Sequence, residues 1–467
     1  MGQTGGTVVA EAEGRKTEQA GAGRPGAEGP QLAIQPPRGT HDILPAESPS
    51  WQLLESAARR LFQVSNYQEV RVPIFEHTEL FKRGVGETTD IVNKEMYTFS
   101  DRSDRSLTLR PEGTAGVVRA YLHGGLHRMS PPVKLWYAGP MFRYESTKTG
   151  RQRQFNQTGV EAFGSAGPLI DAEVIVIALR YLQEVGAESC TLQLNSIGCP
   201  LCRPAYRELL KARLAPRLPE LCGDCQDRFQ RNPLRMLDCK IRHDQERYLD
   251  VPLAVDHLCQ ECSDHFQQLK DLLDRQGARY VLNPRLVRGL DYYTRTVFEV
   301  VSSDHRLGVE STVCAGGRYD NLVELFGGPP TPAVGWALGM ERLILLLGEK
   351  RVPAPEAFIV SANQAEALRL ACELRATGIA CDLDFPSRGQ ARSFGKQLQQ
   401  ANRSAARWAV ILGDDELAAG EVTLKNMKTG SQQRVPRRDL AVSLKDRPAG
   451  QAPAEERPDN EPETRTS

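Results

Sequence analysis

The sequence predicts two folded units: an α+β unit that contains a helical insertion, and a smaller α/β domain that follows it. Three observations carry this prediction. β-rich stretches lie on both sides of a helical, charged segment between about residues 197 and 279, and strands alternate with helices after Pro353. We expect the first unit to span residues 37–350 and the second to span 353–446.

Length and composition are those of an ordinary globular protein. The 467 residues are enough for two or three domains, and the 59 basic side chains equal the 59 acidic ones, so bulk charge does not indicate a nucleic-acid partner. No apolar run approaches the ~18 residues of a membrane span, and the N-terminus lacks the apolar core of a signal peptide. The 11 cysteines are therefore expected to be thiols or metal ligands in a cytoplasmic protein.

Both ends of the chain differ from the rest. Residues 1–36 are rich in Gly, Ala and Glu without apolar periodicity, and residues 447–467 carry four prolines and no large apolar side chain. Such segments cannot bury enough apolar surface to offset their ordering entropy, so we predict two disordered tails.

The first unit is predicted to begin near Pro37. Ser48 followed by Pro49 is typical of a helix start. An apolar stripe at helical spacing follows, consisting of Trp51, Leu54, Ala58, Leu61 and Phe62. We then expect β structure over 68–73 and 96–109 with a polar loop between, a helix over 171–184, β structure over 281–338 and a helix over 340–347.

The predicted insertion, residues 197–279, contains seven of the 11 cysteines. Six of them form three Cys-x-x-Cys pairs, which are Cys199 and Cys202, Cys222 and Cys225, and Cys259 and Cys262. This spacing suits a tetrahedral zinc site, but it equally suits free thiols in a reducing compartment. The sequence leaves zinc binding open.

The second unit follows a linker at Pro353 and Pro355. Strands are predicted over 358–361, 379–385 and 408–412, with helices over 364–375 and 392–405. The stretch 386–407 carries five basic residues and no acid, and their spacing puts most of them on one helical face: Arg388, Arg392, Lys396, Arg403 and Arg407. A solvated face and an RNA contact are equally compatible with that pattern.

The stretch 134–164 is the most informative for function. Two β-like runs flank a polar tip, which predicts a long hairpin, and alternate residues of each arm share a side. The shared side holds Arg143, Glu145, Arg151, Arg153, Phe155, Gln157 and Glu161. A solvated hairpin normally keeps one apolar face, which this one lacks before Val160. Arginine forks grip phosphates and a phenyl ring stacks on a base for about 1–3 kcal/mol, so we predict a nucleotide site.

Two further stretches point to the same kind of site. Residues 334–343 read as a glycine-rich strand and a helix with Arg342 in its first turn, where anions are favoured. Residues 109–115 contain a Pro-Glu-Gly-Thr turn before a helix, which indicates either a helix cap or a substrate contact.

Four motifs resemble the histidyl-tRNA synthetases of class II. FRYE followed by GRQRQF resembles motif 2, VGWALGMERL resembles motif 3, and LVRGLDYYT and CAGGRYDN resemble two histidyl-specific segments. The resemblance spans about residues 35–446. It implies an antiparallel catalytic sheet flanked by helices, an anticodon-binding C-terminal domain, and a homodimer built partly on motif 1, which the helix from Ser48 and the strand ending at Pro73 resemble. It also implies that histidine is activated by ATP with Mg²⁺ and transferred to histidine tRNA.

The resemblance assigns roles to individual residues. Arg143 and Arg288 are the expected catalytic groups at the α-phosphate and the substrate carboxylate, although Arg288 in a structural salt bridge is the alternative. The expected histidine-binding residues are Glu112, Gly113, Thr114, Arg143, Gln157, Glu161, Arg288, Tyr292 and Tyr293. The expected ATP-binding residues are Arg143, Glu145, Arg151, Arg153, Phe155 and Arg342. No metal ligand is expected, because relatives often lack the paired cysteines.

One departure and one rival interpretation accompany this resemblance. Ser146, Thr147 and Lys148 stand where bacterial members more often have Arg-Pro-Gln, and Asn156 stands where a histidine is common, so the resemblance does not define the contacts to the tRNA acceptor end. The rival is the non-catalytic paralogue that regulates ATP phosphoribosyltransferase. It shares the catalytic fold but lacks the C-terminal domain and has degraded motifs.

Overall fold

The computed structural model describes residues 34–87, 89–147, 149–308, 311–348, 352–386 and 389–445. Most of both predicted tails lies outside the described residues, as do Lys148 and Arg388. Within the described ranges, no helix is long and apolar enough to cross a membrane.

The first unit is built on two sheets. Their strands are β1 (Gln68–Glu69), β2 (Phe75–His77), β3 (Thr98–Ser100), β4 (Ser106–Leu109), β5 (Val133–Phe142), β6 (Gln154–Phe163), β7 (Cys190–Ser196), β8 (Tyr280–Leu282), β9 (Thr294–Ser302), β10 (Ser311–Arg318) and β11 (Ala333–Gly339). The large sheet has the order β1-β5-β6-β11-β10-β9-β7-β8, and its central six strands are antiparallel. The small sheet has the order β2-β4-β3.

Ten helices accompany these strands in the described part of the first unit. They are α1 (Ser48–Val64), α2 (Thr78–Val85), α3 (Thr114–His123), α4 (Pro168–Glu184), α5 (Arg203–Leu214), α6 (Gly223–Arg231), α7 (Arg242–Arg247), α8 (Gln260–Arg275), α9 (Leu322–Leu325) and α10 (Met340–Leu347). All five residues of the predicted α1 stripe are buried. They join the main core with residues of α4, α8 and α10 on one face of the large sheet.

The strand pattern determines which side of the large sheet carries function. Val160 and Trp336 belong to the main core, whereas Glu161 and Gly335 point to the opposite side because strand side chains alternate. Glu161 pairs with Gly335, and Gly335 pairs with Gly317 across the next ladder. At this point the side of the sheet opposite α1 and α4 is therefore lined by glycines beside a few polar side chains.

Two details of the first unit differ from the sequence-based expectation. The predicted polar loop before β3 contains α2 and a π-helical turn at Ile91–Glu95. The predicted continuous β structure over 281–338 is interrupted, because residues 283–293 form no strand and α9 lies between β10 and β11. The irregular stretch 283–293 contains three of the predicted site residues, Arg288, Tyr292 and Tyr293.

The helical insertion is present as α5 to α8. Its last helix is not separate from the rest, because Phe266, Leu269 and Leu273 of α8 belong to the main core. A buried ionic group reinforces this contact: Asp171 of α4 binds Arg318 of β10, and His265 of α8 lies 3.3 Å from the same carboxylate. Burial by itself raises the pKa of Asp171, but His265 and Arg318 outweigh it and hold that pKa below its usual value.

The second unit is a five-stranded α/β domain. Its strands are β12 (Ala357–Ser361), β13 (Cys381–Leu383), β14 (Trp408–Leu412), β15 (Glu421–Asn426) and β16 (Gln432–Pro436), in the order β13-β12-β14-β15-β16. Its helices are α11 (Gln364–Ala376), α12 (Phe394–Arg403), α13 (Asp414–Ala419) and α14 (Leu440–Lys445). The first three strands in that order are parallel and the last two are antiparallel.

The predicted basic helix is shorter than expected. Helix α12 carries only Lys396 and Arg403 of the five basic residues. Arg392 precedes the helix and binds Asp384, and Arg407 follows it and lies 3.1 Å from Glu356. The prediction that most of the basic side chains share one face of a helix is therefore wrong, since α12 begins and ends inside the basic stretch.

Candidate active site

A polar cavity of about 370 Å³ opens on the side of the large sheet opposite α1 and α4. That volume is within the range of small-molecule sites. Its wall includes twelve of the residues predicted for substrate binding, which are Glu112, Thr114, Arg143, Glu145, Arg151, Phe155, Gln157, Glu161, Arg288, Tyr292, Tyr293 and Arg342.

Strand β6 supplies one wall of the cavity. Phe155, Gln157 and Glu161 occupy alternate positions on it and all line the cavity, as the period of a strand requires. The facing positions on β11 include Gly335 and Gly339, which pair with Glu161 and Gln157. A Cβ atom on Gly335 would lie 1.8 Å from Glu161 Oε2, so only glycine leaves room for that carboxyl group.

The N-terminus of α3 supplies a second wall. The Glu112 carboxylate accepts hydrogen bonds from the backbone N–H groups of Thr114 and Ala115, at 2.7 and 2.9 Å. The helix-cap interpretation of this turn is thus correct, and the same carboxylate lines the cavity. Gly113 sits behind the wall against the ring of Tyr137, where a Cβ would come within 2.2 Å of a ring carbon.

Glu161 is the most strongly perturbed acid of the cavity. It is fully buried and accepts hydrogen bonds from the Thr114 hydroxyl, at 2.7 Å, and from the Tyr319 hydroxyl. Burial raises the pKa of Glu161 to about 8 against the opposing effect of these two donors. Burial also raises the pKa of Glu112. Two buried acids with raised pKa values on one wall are typical of a ligand site.

Three tyrosines close the cavity beside these acids. The Tyr292 ring centroid lies 4.7 Å from that of Tyr293 and 5.5 Å from that of Tyr319. The Gln157 Oε1 atom is buried and has no hydrogen-bond partner among the described residues. A buried acceptor without a donor costs about 1–3 kcal/mol, so a donor from a ligand would stabilise this wall.

Arginines and one phenyl ring form the remaining wall. The Arg143 Nε–H donates to the Pro111 carbonyl at 2.8 Å, and its guanidinium carbon lies 5.3 Å from the Phe155 ring centroid. Arg342 lies in the first turn of α10 and donates to the Thr312 carbonyl. Arg288 forms an ion pair with Glu299, which also lines the cavity. These groups suit an anion that carries a flat ring.

Comparisons with known proteins agree with this site. The histidyl-tRNA synthetase family model matches residues 39–343, and the anticodon-binding-domain model matches residues 343–447. The histidine–tRNA ligase of Moorella thermoacetica is 51% identical over 408 residues, which cover 86% of this chain and 95% of the relative. The ligase of Desulforamulus reducens is 48% identical and is covered over 99% of its length. The solved apo histidyl-tRNA synthetase of Staphylococcus aureus is 38% identical, with a TM-score of 0.74 over 88% of this chain and 99% of that one.

The chain belongs to the histidyl-tRNA synthetase family. The predicted family, its fold class and the enzyme class of an aminoacyl-tRNA ligase are thereby confirmed. Members of this family use ATP, and the C-terminal domain matches a domain that binds tRNA anticodons.

Two predicted synthetase residues do not line the cavity: Gly113, which lies against the Tyr137 ring, and Arg153. Arg153 packs over the Tyr144 ring, with its guanidinium carbon 4.0 Å from the ring centroid, and lies against Gly39. The expectation that Arg153 faces the ATP phosphates is not met in this structure. Strand alternation does not predict the position of Arg153, because β5 ends at Phe142 and β6 begins at Gln154, so Arg153 lies outside both strands.

The sequence interpretation also missed several residues of this synthetase cavity. Tyr319 lies within the quoted CAGGRYDN segment but received no role, although its hydroxyl binds Glu161. Glu299 of β9 was overlooked because nothing in the sequence pairs it with Arg288. Asp238 and Lys240 line the cavity from the helical insertion. Sequence spacing alone could not predict that residues of the insertion contact the cavity on the sheet.

Proposed function

We propose that this chain activates histidine with ATP and transfers it to the 3′ end of histidine tRNA. In the first step a histidine carboxylate oxygen attacks the α-phosphorus of ATP. The bond to the β-phosphate oxygen breaks, which releases pyrophosphate and leaves histidyl-adenylate. In the second step the terminal ribose hydroxyl of the tRNA attacks the histidyl carbonyl carbon and AMP leaves.

Histidine is proposed to bind between α3 and the tyrosine group. Its ammonium group would pair with the carboxyl groups of Glu112 and Glu161, and its imidazole N–H would satisfy the buried Gln157 oxygen. The rings of Tyr292 and Tyr293 supply flat neighbours. A pocket of buried polar groups rejects ligands that lack the matching donors, which supports selectivity for an imidazole side chain.

ATP is proposed to enter as its Mg²⁺ complex with the adenine on Phe155. Arg143 would leave its stacked position to bind the α-phosphate, and Arg342 at the N-terminus of α10 would bind the terminal phosphate. Glu145 would accept from the adenine amino group, and Arg151 would contact the phosphates. Arg288 would stabilise the charge that develops at phosphorus, which is electrostatic catalysis by preorganised donors.

Assembly and location complete the proposal. The tRNA would be held at its anticodon by the domain formed by residues 357–445, with the acceptor end at the loop between β5 and β6. Phe75 and Phe99 of the small sheet and the adjacent Ile74 are exposed apolar side chains, and a second copy of the chain covering them would form the proposed homodimer. Such an enzyme would act in the cytoplasm.

The observation that carries this function is a single cavity that combines the acids and tyrosines of the histidine site with arginines around Phe155. The test is histidine-dependent exchange of labelled pyrophosphate into ATP by the pure, folded chain. A non-catalytic regulatory paralogue would give no exchange. Absence of exchange, with the fold verified by circular dichroism, would overturn the proposed function.

A further inference from the structure

The structure gathers the cysteines of the helical insertion into two compact groups. Cys199, Cys202, Cys259 and Cys262 form the first group, and Cys222, Cys225, Cys239 and Asp244 form the second. In each group the four ligand atoms lie within 4.8 Å of one another. We propose that each group holds one structural zinc ion, so that the chain binds two zinc ions outside its active site.

The first group has the dimensions of a zinc site. The Sγ atoms of Cys199 and Cys202 are 3.8 Å apart, as are those of Cys199 and Cys259, and those of Cys202 and Cys262 are 3.9 Å apart. Four thiolates at about 2.3 Å from a tetrahedral zinc ion stand about 3.8 Å from one another. These three Sγ–Sγ distances therefore match the edges of that tetrahedron, and the other Sγ–Sγ distances of the group are at most 4.8 Å.

Backbone donors around the first group favour thiolates. The Cys199 N–H points at Cys202 Sγ at 3.2 Å, and the Leu201 N–H points at Cys199 Sγ at 3.4 Å. Gly198 makes this turn possible, because its φ is +71° and a Cβ would lie 2.7 Å from Cys202 Sγ. Hydrogen bonds of this kind orient metal ligands and stabilise their charge.

The second group contains a buried carboxylate among thiols. Asp244 is 1% exposed and its Oδ2 lies 3.5 Å from Cys239 Sγ and 3.1 Å from the Cys222 N–H. Cys222 Sγ and Cys239 Sγ are 4.0 Å apart. The other carboxylate oxygen, Asp244 Oδ1, lies 3.3 Å from Nδ1 of the half-exposed His243 ring, so Oδ2 is the oxygen that faces the thiols. Three thiolates and one carboxylate match the ligands that zinc accepts.

The positions of the two groups indicate what the zinc ions do. Cys199 and Cys202 lie between β7 and α5, and Cys259 and Cys262 lie at the start of α8, so the first ion would join the beginning of the insertion to its last helix. Cys239 lies between Asp238 and Lys240, which both line the catalytic cavity. The second ion would therefore hold the part of the insertion that reaches the active site.

Metal content of the full-length chain tests the proposal. The protein is purified under reducing conditions without chelator, and zinc is measured by mass spectrometry and by a chromogenic chelator after thiol modification. We expect two zinc ions per chain. Less than about 0.2 zinc per chain, or iron in place of zinc, would overturn the assignment. X-ray absorption at the zinc edge should show mostly sulfur ligands at about 2.3 Å.

Paired substitutions assign each ion to its group. Cys199→Ser with Cys259→Ser should leave one zinc ion, and Cys222→Ser with Cys239→Ser should also leave one. Cys372→Ser, at an exposed cysteine of α11, is the matched control and should retain two. A zinc content that one of the two pairs does not change would overturn that group's assignment.

Asp244 gives a test that does not depend on removing thiols. Asp244→Ala should weaken the second ion at least about tenfold in chelator competition, whereas Asp244→Cys, which completes four thiolates, should retain it. Equal zinc affinity in all three proteins would overturn the role of Asp244. Because zinc content is read without histidine or ATP, failure here and failure of the proposed ligase activity are distinguishable.

Discussion

At the scale of single residues, Arg288 meets the structural requirements of two roles that the sequence presented as alternatives. It forms the ion pair with Glu299 that a structural role requires, and it lines the cavity that a catalytic role requires. The two roles are compatible, because an ion pair with a cavity acid orients the guanidinium group before the substrate arrives.

Substitution of Arg288 separates these roles. Arg288→Ala should lower histidine-dependent pyrophosphate exchange at least about 10²–10³-fold, the range for losing one preorganised donor to a developing charge. Glu299→Gln is the control, because it breaks the same ion pair and leaves the guanidinium in place. If both variants lose the same exchange activity and the same stability, Arg288 acts only through the salt bridge.

Glu161 should make histidine binding depend on pH. Burial raises its pKa in the folded chain to about 8, above the usual 4.5, so the carboxyl is mostly neutral at pH 7. The contribution of the neutral Glu161 carboxyl to the stability of the folded chain is fully present below pH 4.5 and is lost as the pH rises through 8. A substrate ammonium group requires the carboxylate, so histidine binding at pH 7 should release a proton, and affinity should rise between pH 7 and 8.

Calorimetry in buffers of different ionisation enthalpy measures that proton release. Glu161→Gln should bind histidine more weakly and should lose the part of the pH dependence between 7 and 8. Binding by the unmodified chain with no proton release would contradict the proposed contact between Glu161 and the ammonium group.

At the scale of elements, the hairpin shows what strand periodicity can and cannot predict. Phe155, Gln157 and Glu161 were placed together correctly because β6 is regular from Gln154 to Phe163. Arg143 and Arg151 reach the cavity from outside the two strands, where side chains do not alternate between two faces. Arg153 turns away from the cavity. Loop residues depend on tertiary packing, so their positions could be expected only from the family resemblance.

The contact between β6 and β11 yields an element-scale prediction. Gly335→Ala would put a methyl group 1.8 Å from Glu161 Oε2 and 2.4 Å from the Val160 carbonyl oxygen. Since a backbone atom cannot move away easily, we expect a loss of about 1–3 kcal/mol in the free energy of unfolding. The KM for histidine should rise at least about tenfold because the Glu161 carboxyl must move. Denaturant unfolding and exchange kinetics measure the two effects.

Gly339→Ala is the matched control for this substitution. Gly339 ends the same strand, and nothing lies within 4 Å of its added Cβ. Its free energy of unfolding should therefore change by less than about 0.5 kcal/mol. Equal destabilisation by both substitutions would show that the loss comes from glycine flexibility rather than from the close approach to Glu161.

At the scale of the whole molecule, the sequence predicted the order of the units better than their contacts. The helical insertion and the α/β domain follow the expected pattern, but β15, β16, α13 and α14 at the end of the domain were not anticipated. The first and third cysteine pairs, about 60 residues apart in the sequence, form one group, and the second pair forms another with Cys239 and Asp244. Which cysteines come together depends on the fold, so the local spacing of the pairs could not predict it.

The C-terminal domain presents two faces that allow a controlled test of tRNA binding. Phe358 and Val360 of β12 pack with α12, whereas Ala357 and Ile359 pack with α11 and α14 on the other face of the sheet. Lys396 and Arg403 are exposed on α12 and lie two helical turns apart on one side of it. Among the described basic residues of the stretch 386–407, these two are the ones that we expect to contact an RNA.

Charge reversal on α12 should weaken tRNA binding without changing amino-acid activation. We expect Lys396→Glu with Arg403→Glu to raise the KM for tRNA in aminoacylation and to reduce the salt dependence of tRNA affinity by about one unit of log–log slope per lost phosphate contact. Histidine-dependent exchange should stay unchanged, because both residues lie outside the catalytic cavity. Arg438→Glu changes an exposed charge just before α14, on the opposite face, and should leave the KM for tRNA unchanged. An equal increase in both proteins would mean that bulk charge, rather than the α12 face, determines the effect.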